Sequence, residues 1–171
     1  MKNNRYRWVL FVTILSFIIT IVFSVLSDFI LSKTGLVIGI IIILTFILLG
    51  VLFDMIGVAV ASATDRSFHA MASKKVKSTG TAKNLIKNSS KVSSICNDVI
   101  GDVCNIMSGT ATVVVSNNIS TNYDLNHTIV LLIITSIVAS LTIGLKAWGK
   151  DIALKQKDII IMKTAKVLNR K

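Results

Sequence analysis

Ser93–Val115 reads SSICNDVIGDVCNIMSGTATVVV. At 100° per residue, Asp98, Asp102, Asn105, Gly109 and Thr112 share one narrow helical face, and Ile100, Val103, Met107 and Val114 lie opposite. Alone, this is the pattern of an amphipathic helix in a soluble protein. Its neighbours change the reading, because the most apolar segments of the chain flank it. The stretch then becomes a membrane helix with an acidic seam, and ionisable groups inside a membrane bundle are costly enough to mark a functional site by default.

Composition supports the membrane reading. Of 171 residues 53% are hydrophobic and 16% charged, with nine Gly and no Pro, and the mean hydropathy is +0.74. A soluble domain of this size carries more charge and more loop punctuation. The net charge of +11 does not point to nucleic acid, because Lys and Arg sit in blocks beside apolar spans, where they set topology and attract anionic headgroups. Acidic side chains are all Asp. Cys96 and Cys104 are eight residues apart on one helix, roughly 12 Å by rise, too far to bridge, and nothing accompanies them at zinc spacing.

In chain order, Lys2, Arg5 and Arg7 precede an apolar run over 8–31, too long for the core of a cleaved signal and long enough to span. A second span covers 36–63. Its first half is bulky and expected to face lipid; its second half turns small (Gly57, Ala59, Ala61, Ser62, Ala63) and is expected to pack in the bundle. Residues 65–92 are basic, with apolar residues at loosely helical spacing. They predict helices on the membrane surface with a break at Ser78-Thr79-Gly80 and a cap at Ser89-Ser90; a solvated charged loop is the alternative. The third span is 94–115, followed by a polar loop over 116–127. The fourth is 128–148, with Ser136, Ser140 and Gly144 as a small-residue packing stripe. A basic tail, 149–171, is expected to be partly helical, its apolar residues not segregating onto one face.

The expected architecture is therefore an all-α integral membrane protein: one membrane domain of four transmembrane helices, with a basic juxtamembrane helical segment between helices two and three. The positive-inside rule places every basic block on one side if both termini are cytoplasmic, as in a cell-membrane protein. Asp54 and Asp102 then sit at similar depth, roughly 14–15 Å into the membrane by helical rise, with Asp98 a turn shallower and Asn105 a turn deeper. No Lys or Arg lies deep within a span, so both acids lack a basic partner at their depth. They are protonated, hydrated, or neutralised by a cation, and oxygen ligands suit a hard ion such as Mg²⁺. Protonated packing carboxylates are the alternative.

Residues from about Leu36 to Trp148 resemble the transmembrane domain of the CNNM/CorC magnesium transporters. The likeness rests on Gly57-Val58-Ala59-Val60-Ala61-Ser62-Ala63-Thr64 leading into Asp65-Arg66, and on Ile100-Gly101-Asp102 followed by Asn105. The family's acid in the first motif falls near Val58, where this chain offers Asp54 a turn earlier; its signature Asn is Asp102 here. The helix over 8–31 is extra, and a short basic tail stands where the family carries a pair of CBS domains. The resemblance implies a dimer and Mg²⁺ bound among the membrane helices. With the acidic seam it nominates Asp54, Asp98, Asp102, Asn105 and Ser62 as metal ligands. The leading expectation is divalent-cation transport. The alternative is a non-transporting accessory protein whose acidic seam packs against a partner helix. An enzyme is not expected: His69 and His127 are predicted on opposite membrane sides, without a nucleophile motif around either.

Overall fold

The computed structural model describes residues 2–31, 35–64 and 79–169, and every regular element among them is helical. In order these are α1 (Lys2–Leu31), α2 (Leu36–Ala61), α3 (Thr79–Lys87), α4 (Ser89–Ser94), a π-helical segment (Ile95–Gly101), α5 (Asp102–Asn122), α6 (His127–Lys155) and α7 (Lys157–Leu168). Four stretches are long and apolar enough to cross a membrane: Tyr6–Val25, Leu36–Ala61, Ser89–Asn122 and His127–Lys155. The chain is thus an all-α protein with four helices of spanning length and composition.

The chain forms two compact units, one of Met1–Gly50 and Val99–Gly144, the other of Val51–Asp98 and Leu145–Lys171. In the first, α1 packs along α5, with the Ser24 hydroxyl 3.9 Å from the Met107 sulfur. Phe23 meets Phe46 edge to face at 6.4 Å. Gly50 brings α2 close to α5, since a Cβ there would lie 3.2 Å from Cys104 Cβ.

The expected polar loop over 116–127 is mostly helix. α5 continues to Asn122, and only a short turn remains before α6. Ser116 and Ser120 are buried, and their hydroxyls donate to the carbonyls of Thr112 (2.8 Å) and Asn117 (2.9 Å). Such back-bonding satisfies a hydroxyl within its own helix, so Ser can continue a buried helical face. The turn closes with Asp124 at φ 50°, and Asn126 Oδ1 accepts from the Thr128 N–H at 3.0 Å, capping α6.

On α2 burial varies around the helix, not only along it. Gly39, Ile43, Ile47, Gly50, Asp54 and Gly57 form one buried stripe, while Val37, Ile41, Leu44, Leu48 and Leu52 are exposed. The bulky half was expected to face lipid as a whole; instead it contributes a packing face of its own.

In the second unit α3 packs on α7. Ala59, Val60, Ala82, Ala153, Ile161 and Ala165 form its core. The tail is a docked helix: Ile161 and Ala165, one turn apart, are fully buried. Ile159, Val167 and Leu168 on the same helix are exposed. That division is why no clean apolar face was readable. Of the basic segment, 65–78 and His69 lie outside the described residues, and 79–94 is helical. α3 begins at Thr79, where a break was expected. A turn at Asn88 follows, and the third spanning stretch starts at Ser89, five residues earlier than expected.

Candidate functional site

The five nominated residues fall in both units. Asp54, Ser62 and Asp98 belong to the second; Asp102 and Asn105 belong to the first.

Asp54 is 5% exposed, and the expectation that it lacks a basic partner is overturned. Lys150 Nζ stands 3.5 Å from Asp54 Oδ2. The physical reason is that α6 does not stop near Trp148 but runs on to Lys155, carrying Lys150 with it. Gly149 then permits close approach: a Cβ there would sit 3.0 Å from Met55 Cγ and from Val51 Cγ1. A glycine against α2 therefore seats the next residue, a lysine, beside the carboxylate. The lysine side chain is 52% exposed, so its stem lies along the protein while its head stays partly wet. Asp54 Oδ2 has no hydrogen-bond partner among the described residues; the pair is an ion pair without hydrogen-bond geometry.

One turn along α2, Gly57 makes room for Asn97. Any Cβ at Gly57 would overlap the Asn97 amide. Asn97 Nδ2 donates to Ser93 Oγ at 3.3 Å, while its buried Oδ1 has no partner among the described residues. Asn97 reaches this position from the π-helical segment, whose i→i+5 turns hold one residue more than an α-turn and are common where a helix serves a function. The segment points Asn97 at α2 and leaves Asp98 exposed, where it accepts from Ser94 Oγ at 2.8 Å. Ser62 closes the end of α2. Its hydroxyl donates to the Ala59 carbonyl at 3.1 Å, and its own carbonyl accepts from Lys157 Nζ at 3.2 Å, a cation at a helix C-terminus. In α7, Asp158 Oδ1 is a further buried oxygen without a partner among the described residues.

In the first unit Asp102 is exposed. The face predicted as its opposite is turned inward at Val103 and Met107, as helical periodicity implies. Thr112, placed with the acidic face, is instead buried and donates to the Ser108 carbonyl at 2.7 Å. Asn105 is half-buried and, with Ser108, Thr135, Val138 and Thr142, lines a cavity of about 250 Å³. Ser136, Ser140 and Gly144 are exposed, with nothing within 4 Å of a Cβ at Gly144.

Among the described residues no three His, Cys, Asp or Glu side chains gather closely enough to hold a metal ion. Sequence reasoning found Asp54 but missed Lys150, Gly149 and Asn97. The available signal was small-residue spacing continuing through Gly149 and Ala153, which extends α6 beyond Trp148. No protein-family model, curated protein or solved structure matches the chain, so the CNNM/CorC resemblance stands on its two short motifs.

Proposed function

We propose that this chain is a membrane-embedded partner-binding protein, whose acidic face on α5 docks against a helix supplied from outside the chain. The observation that carries this is the exposure of Asp102 on a spanning helix. Fourteen residues, roughly 20 Å of rise, separate Asp102 from Ser116, so the carboxylate falls inside a hydrocarbon layer of about 30 Å. Sequence between Lys91 and Lys146 contains no Lys or Arg. A charged group so placed needs a donor, a cation or a proton, and a partner helix with a basic or amide side chain supplies the first.

Divalent-cation transport, as in a shortened CNNM/CorC-like module, is the second reading. The unpartnered oxygens of Asp54 and Asn97 favour it. In that reading Lys150 holds the place of a cation beside Asp54, and Mg²⁺ displaces it. The basic stretches argue for a cell-membrane protein with both termini cytoplasmic.

One experiment separates the readings: thermal unfolding of the purified chain with and without Mg²⁺, for wild type, Asp54→Asn and Asp102→Asn. A ligand that binds only the folded state raises its apparent stability with concentration. Partner docking predicts no Mg²⁺ response in any of the three. A response in wild type that Asp54→Asn abolishes establishes the cation site and overturns the proposal.

A further inference from the structure

The second unit contains an apolar groove of about 480 Å³. Phe53 and Ile56 of α2 and Leu85 of α3 line it together with Val167 and Leu168 of α7, and Lys163 is the charged side chain at its wall. Val167 and Leu168 are 74% and 58% exposed, so the groove opens along α7. Empty, it would hold water against hydrocarbon side chains, which is unfavourable. Its size limits what fills it. A helix about 10 Å across occupies this volume with roughly one turn, too little for a docked helix, whereas a single extended hydrocarbon chain lies along such a groove.

Charge narrows the occupant further. Lys163 is exposed and forms no ion pair among the described residues, unlike Lys150 with Asp54 and Lys155 with Asp151. The unit around it contains nine lysines against four aspartates in its described part. A membrane protein meets one abundant molecule with a hydrocarbon chain and a negative head. We propose that this groove binds an anionic phospholipid, an acyl chain lying against Phe53, Ile56 and Leu85 and the phosphate reaching Lys163. The proposal does not rest on either reading of the acidic face.

The test is thermal unfolding of the full chain in non-ionic detergent, titrated with phosphatidylglycerol, with phosphatidylcholine of the same chains, and with glycerol phosphate. Phosphatidylglycerol is expected to stabilise wild type at roughly fivefold lower concentration than phosphatidylcholine, the factor one lysine gives at an anionic surface. Glycerol phosphate is expected to do nothing. Lys163→Gln should bring the two lipids to parity, while Lys166→Gln, on the exposed neighbour outside the groove, keeps the preference. Val167→Trp, at an exposed position that fills the groove, should abolish the response to both lipids. Equal response to the two lipids in wild type overturns the proposal, as does an effect of Lys166→Gln equal to that of Lys163→Gln. So does stabilisation by glycerol phosphate, or no lipid response at all. If Val167→Trp fails to fold, the two lysine variants still decide.

Discussion

Asp54 and Asp102 are two carboxylates on spanning helices, treated in opposite ways. Asp54 is buried, faces a lysine, and lies in a helix face cleared by glycine. Asp102 is exposed on a face whose reverse side carries the packing. The first acid belongs to the interior of its unit; the second requires something from outside. The same chemistry is thus set in two different surroundings, and what distinguishes them is the shape of the helix faces around each acid, not their hydrophobicity.

If the surroundings of Asp54 are a built interior, removing their core should be costly. Ile161→Ala deletes the largest fully buried side chain of α7, and large-to-small changes at such positions cost roughly 2–5 kcal/mol. The same change at Ile143, 68% exposed in the other unit, should be close to neutral in detergent. Urea or thermal unfolding compares them. Equal losses would mean that the tail helix contributes nothing to the environment of Asp54.

Next in size is the glycine that seats the ion pair. Gly149→Leu forces bulk into Met55 and Val51, and overpacking of this kind costs about 1–3 kcal/mol. Gly144→Leu, five residues earlier, meets open space and should leave the melting temperature of the monomer unchanged. A shift in oligomeric state on Gly144→Leu would show that the Ser136–Ser140–Gly144 stripe packs between copies.

The pair itself comes third. Lys150→Gln leaves a buried carboxylate without its cation. A fully buried pair loses about 3–5 kcal/mol when one partner goes, but Lys150 is half exposed, so roughly 1–2 kcal/mol is expected after discounting for solvent. Asp54→Asn should be less severe alone, and the double variant should be no worse than Lys150→Gln. A double-mutant cycle measures this. Full additivity would mean that the 3.5 Å approach carries no energy.

Much of this arrangement is legible in the sequence, and what is not has two physical causes. The four spans follow from long apolar runs, and the inward face of α5 follows from the period of Val103 and Met107. The buried stripe of α2 was not legible because Ile43 and Ile47 on the stripe are chemically the same as Ile41 and Leu44 off it. Within an apolar span hydrophobicity cannot mark the packed side; only size can, and Gly39, Gly50 and Gly57 were that mark. Lys150 was missed for a related reason. A polar residue just beyond an apolar run reads as tail, although a helix that continues past the run delivers it to the bundle. The rotation that presents Asn97 instead of Asp98 comes from a π-helical segment, and an α-helical period cannot express it.

The smallest expected effect is the most informative about Asp102. Asp102→Asn replaces an exposed carboxylate by an amide of nearly the same shape, with no side-chain hydrogen bond to lose among the described residues. In detergent, where water reaches the exposed face, stability should change by less than about 0.5 kcal/mol, as for surface substitutions away from packed features. In a bilayer the sign should reverse to a gain, because an amide is less costly to place against hydrocarbon than a carboxylate. A partner helix or a second copy that neutralises Asp102 cancels that gain and turns it into a loss of association. Measuring the variant in detergent, and then in vesicles with and without co-expressed membrane proteins, separates these outcomes. Loss of stability already in detergent would mean that Asp102 has an internal role like that of Asp54, and the contrast between the two acids would fail.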